Sequence, residues 1–169
     1  MTGWGMTGRS PIVLRSGEGE AVGLGRILVD GAAAEGRFAL LELEGRPNVR
    51  VPAHVHRDAD ELFYLLEGHL LVQVGDREVE AGPGDLVLVP RGVAHGHHNR
   101  GDARVRWLTL FAPGGGEGYF RERAHAGLRA RALPDDARAR LDYAGLEPEE
   151  HDRLRERYGI QIVERDQGR

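Results

Sequence analysis

Two of the eight histidines stand together as His54-Val55-His56. On a strand, residues i and i+2 leave the backbone on the same face, so the two imidazoles point one way, about 7 Å apart. That spacing is a ready clip for a metal ion. Glu61 follows at the head of the apolar run Leu62–Leu66. Its parity puts it on one face with Phe63 and Leu65. A carboxylate in phase with large apolar side chains tends toward burial, and a bare buried charge is costly, so Glu61 needs a partner. A metal would supply one. A further imidazole, His95, comes just after Pro90-Arg91-Gly92. A Gly/Pro turn ahead of a strand presents the next side chains at a barrel mouth.

The remaining composition narrows the chemistry. The 169 residues contain no Cys, which excludes disulfides, thiolate nucleophiles, zinc fingers and iron–sulfur clusters. All 23 basic residues are Arg, so Schiff-base and P-loop lysine chemistry are impossible. The only serines, Ser10 and Ser16, lie near the N-terminus, which argues against a serine-nucleophile triad. A net charge of −4 argues against a nucleic-acid partner. No apolar run approaches the ~18 residues of a membrane span, and the first residues lack the blocks of a signal peptide, so the expected location is cytoplasmic and away from membranes.

The elements that must position these residues read as short strands between turns. The chain has 25 glycines, spread among apolar runs in the manner of tight turns. Candidate strands are Phe38–Leu43, Val49–His56, Leu62–Leu66, Leu70–Val74, Glu78–Glu80, Leu86–Val89 and Arg104–Phe111, with Gly75-Asp76 as a hairpin turn. Strands recurring every ~8–12 residues indicate an all-β sandwich or barrel. The composition shifts at Pro113-Gly114-Gly115-Gly116. Helices are expected over Glu117–Ala126, Asp135–Tyr143 and Glu147–Tyr158, then a last strand over Ile160–Val163. The expected organisation is a loose leader over 1–11, a β-barrel over 12–112 and a helical appendage over 113–169.

Two spaced motifs within this frame resemble those of the cupin superfamily. The first is His54, His56, Glu61 and Gly68, the second Gly84, Pro90, Gly92, His95 and Asn99. One position departs: the glycine expected six residues before the first histidine is Asn48. The segment Pro113–Glu122 and the ending Tyr158–Val163 look like those of quercetin 2,3-dioxygenase-like monocupins. The resemblance implies a mainly β fold, a cupin jelly-roll barrel with a short helical C-terminal appendage. It also implies that His54, His56, Glu61 and His95 bind one divalent transition metal (Fe, Mn, Ni, Co, Cu or Zn), and that the chain forms a homodimer. Three imidazoles and a carboxylate leave positions open for a small-molecule substrate and O2. The expected activity is that of a dioxygenase on a flavonol-like or other aromatic enol, with Glu61 as catalytic base. A non-oxidative isomerase or cyclase, or a binding protein without turnover, are the alternatives.

Other residues carry weaker expectations. His97 shares parity with His95 and can serve as a pocket residue, the plainer reading being a hydrogen-bonded histidine at the rim. Arg50 shares parity with His54 and His56 and can reach an anionic substrate unless Pro52 breaks the phase; otherwise it is a surface residue. Phe63, Leu65, Trp107 and Phe111 fit both a pocket lining and plain core. Tyr64 is expected beneath the helices. His98, His69, His125 and His151 are expected outside, and the Arg-rich stretch 121–140 reads as a solvated helix face.

Overall fold

The computed structural model describes residues 11–131 and 146–163. The leader through residue 10 and the helix expected over Asp135–Tyr143 lie outside these. Eleven strands and two helices occur among the described residues: β1 (Glu20–Ala21), β2 (Gly25–Val29), β3 (Ala39–Gly45), β4 (Arg50–His56), β5 (Asp60–Glu67), β6 (Leu70–Val74), β7 (Arg77–Ala81), β8 (Leu86–Val89), β9 (His95–His98), β10 (Val105–Ala112), α1 (Glu117–Arg131), α2 (Pro148–Arg157) and β11 (Ile160–Ile162). The strands form two antiparallel sheets, ordered β1-β2-β3-β10-β5-β8 and β11-β4-β9-β6-β7. Among the described residues no strand pairs across from one sheet to the other. The molecule is therefore an open jelly roll with a core between two sheets, not a hydrogen-bonded closed barrel.

Period-two alternation builds this core. On β10, Val105, Trp107, Thr109 and Phe111 are buried and the residues between them are not. On β5, Glu61, Phe63 and Leu65 are buried in the same way. They meet Leu41 and Leu43 of β3 and Leu70 and Val72 of β6 in one apolar cluster. Each fully buried Phe or Leu contributes about 2 kcal/mol by removal from water. Within the core, the Trp107 indole N–H donates to Thr109 Oγ1 at 2.8 Å, which satisfies both polar groups. Strands β1 and β2 lie outside the runs expected from sequence; Gly25-Arg26-Ile27-Leu28-Val29 is short, and its register slips between Ile27 and Val29.

The outward faces correct one expectation. Tyr64 does not pack beneath the helices. It is 38% exposed on the outer face of β5, beside Leu86 of β8, and Leu86 and Leu88 are each 56% exposed.

Helix α1 leaves β10 through the glycine-rich turn and packs Phe120 and Ala124 on the barrel core. Glu117, at its first turn, is buried and accepts hydrogen bonds from the Gly31 and Gly115 amides at 2.8 and 2.7 Å, pinning the helix start to the loop after β2. Helix α2 brings Leu154 against Tyr119 and Ala126 of α1 in a second, smaller cluster. The chain then returns as β11, pairing Ile160 with His56 and Ile162 with His54 on the free edge of β4.

Candidate metal centre

Four strand positions converge at one end of the jelly roll. Residues 54 and 56 of β4, 61 of β5 and 95 of β9 are all buried, and one ligand atom from each lies within 4.8 Å of every other. The glycine-type turns of the two motifs deliver them. Gly84 and Gly92 have φ of +92° and +79°, the left-handed region open to glycine at little cost. Asn48, where the motif has glycine, holds φ +60°; asparagine tolerates that region better than most residues, so the turn into β4 is kept. Asn99 then locks it. Its amide nitrogen lies 3.2, 3.0 and 2.8 Å from the carbonyls of Gly45, Arg46 and Ala103, and its oxygen accepts from Gly101.

A β-bulge sets which side chains of β4 face inward. Val51 pairs with His97, but His54 pairs with His95, so β4 carries one residue more than β9 between these points. Pro52 sits in the bulge, where its missing N–H breaks no ladder bond. Opposite, a side chain on Gly96 would strike the Val51 carbonyl at 2.8 Å, so the close approach requires glycine. The bulge reverses the phase: upstream of it Val51 takes the inward parity, and Arg50 is exposed and pairs with His98. Arg50 therefore does not reach the pocket. The parity shared with His54 and His56 in the sequence is broken at Pro52-Ala53.

The hydrogen bonds orient the four side chains as a donor set for a cation. His54 and His95 donate Nδ1–H to the carbonyls of Pro52 and Val93, at 2.9 and 3.0 Å. Those bonds fix the rings so that Nε2 carries the lone pair. His95 Nε2 is 2.8 Å from Glu61 Oε2, and His56 Nε2 is 3.0 Å from the same oxygen. The His95 lone pair and the Glu61 oxygen at such a distance repel unless a positive charge lies between them, either a second proton on the imidazole or a metal ion; His56 meets the same oxygen either as an Nε2–H donor or as a fellow ligand. Ligand atoms at right angles around a metal with bonds of about 2.1 Å stand about 3 Å apart, so the donor set fits a transition metal.

The electrostatics agree. Burial works against the Glu61 carboxylate, but hydrogen bonds from His56 and His95 outweigh it and hold the pKa well below the usual carboxylate range. Burial also opposes charge on His95, yet the bond to Glu61 prevails and raises its pKa. His54 is pushed down to about 4, by burial first and by the neighbouring His95 second. A neutral His54 is ready to ligate at neutral pH.

Around the cluster stand aromatic rings. Phe111 lies 5.3 Å from the His56 ring, and Phe63 lies 6.3 Å from His95. Leu65 and Trp107 are deeper in the core. His97 is not a hydrogen-bonded rim histidine. Its ring is wedged edge-on between Phe63 and Trp107, at 5.6 and 5.3 Å, and its buried Nδ1 has no hydrogen-bond partner among the described residues. It is not one of the four clustered ligands. Burial lowers its pKa to about 4. Two surface grooves, one beside Arg26 and Glu42 and the other beside His69 and Arg104, contain none of the four.

His69 and His125 are exposed and His98 is half-buried, but His151 is fully buried. Arg155 lies 3.1 Å from its Nδ1 and can only donate, so Nε2 carries the proton and donates to the Tyr119 hydroxyl at 2.7 Å. The expectation of a surface residue fails because α2 turns this side onto Tyr119, and the signal lay in a partner 32 residues away. Among the described residues no helix is long and apolar enough to cross a membrane.

Residues 42–111 match the family model described as a cupin domain. The chain is 32% identical over 119 residues to quercetin 2,3-dioxygenase of Bacillus subtilis, covering 68% of this chain and 35% of that protein. It is 34% identical over 71 residues to the tetracenomycin polyketide synthase protein TcmJ of Streptomyces glaucescens, covering 42% of this chain and 48% of that one. The chain thus spans about a third of the first relative and about half of the second. A crystal structure of a predicted oxalate decarboxylase from Thermotoga maritima superposes with a TM-score of 0.51 at 20% identity, over 53% of this chain and 78% of that one; at that identity the likeness concerns the fold alone. The family model lies over both motifs and over the strands from β3 to β10, so residues 42–111 of this chain form a cupin domain.

Proposed function

We propose that the chain is a metal-dependent cupin dioxygenase acting on a flavonol-like or other aromatic enol. The observation that carries this reading is the shared Glu61 oxygen, faced by two imidazole nitrogens at 2.8 and 3.0 Å beside a wall of aromatic rings. His54, His56, Glu61 and His95 would hold one divalent transition metal. When bound, such a metal supplies Lewis acidity and, if redox-active, a means of bringing an enol and O2 together.

The chain's own residues do the rest. Glu61 is ionised across the neutral range and is the group to accept the substrate hydroxyl proton on a carboxylate oxygen. The carbonyls of Pro52 and Val93 keep His54 and His95 from rotating. Phe63 and Phe111, buried beside the imidazoles, exclude water from the proton transfer. A second reading, a non-oxidative cyclase or isomerase using the metal as Lewis acid alone, accords with the likeness to a polyketide synthase protein, TcmJ.

Oxygen uptake by metal-loaded protein with a panel of aromatic enols tests the choice. Dioxygenase activity consumes one O2 for each substrate lost. Product formed at an unchanged rate without oxygen gives the second reading, and tight binding without turnover overturns both. The homodimer finds a candidate face in the outward Tyr64, Leu86 and Leu88. Light scattering should then give twice the chain mass, and Leu88→Glu should halve it.

A further inference from the structure

Helix α1 carries three consecutive charged residues, and they differ in what answers them. Arg121 pairs with Glu20 at 2.7 Å and with Asp30 at 3.3 Å. Glu122 pairs with Arg157 at 2.7 Å and accepts from the Tyr158 hydroxyl at 2.7 Å. Arg123, between them, is half-buried, and among the described residues it makes no ion pair and no hydrogen bond. Its guanidinium lies over the rings of Tyr119 and Phe120 instead, 5.5 and 5.3 Å from their centroids. This is a departure from the solvated helix face expected of the Arg-rich stretch.

The aromatic surface under Arg123 leads to the metal centre. Phe120 stands 6.1 Å from Phe111, and Phe111 stands 5.3 Å from the ligand His56. Phe120 also packs on the core between the sheets, so this side of α1 continues the apolar surface that surrounds Phe111. Ring faces fix the guanidinium plane and strip part of its water, yet no carboxylate balances it. A half-buried cation stacked on these rings is completed by an anion that enters with the ligand, and a planar guanidinium matches a carboxylate in two parallel hydrogen bonds.

We propose that Arg123 is a specificity-determining residue that anchors an anionic group, a carboxylate, on the far end of an aromatic enol whose oxygens sit at the metal centre. The inference rests on the metal-centred reading above and narrows its substrates to those carrying a second negative group. Arg123 acts by binding and positioning; it takes no part in proton transfer.

Two probes that differ only in the charged group test it: catechol and 3,4-dihydroxybenzoate, titrated calorimetrically into wild-type protein of verified metal content. Wild type should bind 3,4-dihydroxybenzoate about tenfold more tightly than catechol, as one charge-assisted contact implies. Arg123→Gln should abolish that preference and leave catechol affinity within twofold, and Arg123→Lys should restore part of it. Added salt should narrow the gap in wild type and not in the variant. Equal affinity of wild type for both probes overturns the anchor, as does an Arg123→Gln variant that keeps the preference or weakens both probes alike. Failure of metal-loaded wild type to bind either probe also overturns it. If the wild-type protein takes up no metal, the metal-centred reading itself falls, and metal analysis separates that failure from the others.

Discussion

The molecule buries histidine in two places, and the two are built on opposite principles. In the tail, His151 receives a hydrogen bond from Arg155 and gives one to Tyr119, so each ring nitrogen is answered by a protein group. At the end of the jelly roll, three imidazoles and Glu61 bring one potential ligand atom each to within 4.8 Å of the others, a set able to close on a single cation. Burial and a shifted pKa alone do not mark a site. The mark is convergence of several metal-ligating atoms, from three different strands, on one point.

The comparison predicts distinct responses to damage, the largest at the metal centre. His95→Ala removes a ligand and should lose most of the metal, about one ion per chain in wild type, by elemental analysis; full retention would break the assignment. His151→Ala should leave metal content unchanged but cost about 2–4 kcal/mol in urea unfolding, since it opens a cavity and strips partners from buried polar groups.

Acid is a further probe. His54 and His97 have pKa values near 4 when folded, against 6.5 for a free imidazole. Between these values the unfolded chain binds more protons, so the metal-free protein should lose stability as pH falls from about 6.5 to 4. The loss is on the order of 2–3 kcal/mol per ring. The Glu61–His95 pair acts elsewhere: with the Glu61 pKa depressed, its contribution fades only as pH falls below the ordinary Glu value, and with the His95 pKa raised, its contribution fades as pH rises past that raised value. A melting temperature flat from pH 6.5 to 4 would contradict this account. The smallest effect belongs to His97→Leu, which should keep the metal and gain about 1 kcal/mol by removing an unanswered buried nitrogen.

Much of the centre was legible because it obeys short periods. His54 and His56 share a face by strand parity, and Glu61 shares one with Phe63 and Leu65 for the same reason. Spaced turn residues reported where β9 would begin. What misled was non-local. Arg50 lies four residues before His54 and would share its face but for the extra residue at Pro52-Ala53, whose register depends on β9. His151 sits on a helix too polar to reveal a buried side, and its partner belongs to another helix. Tyr64 has the outward parity expected of it, but sequence could not say that the helices cover a different part of the jelly roll. Arg123 read as one charge in a mixed run because only the fold decides which charges find counterparts.

The pairing of β11 with β4 has a consequence for assembly. The strand that bears His54 and His56 is closed on its outer side by residues about a hundred positions later in the chain. Until those residues fold back, that border of the second sheet is bare backbone, able to recruit the equivalent strand of another molecule. Premature translation stops ahead of Ile160 would therefore produce not a merely shortened protein but a sticky one, prone to cross-molecule strand exchange.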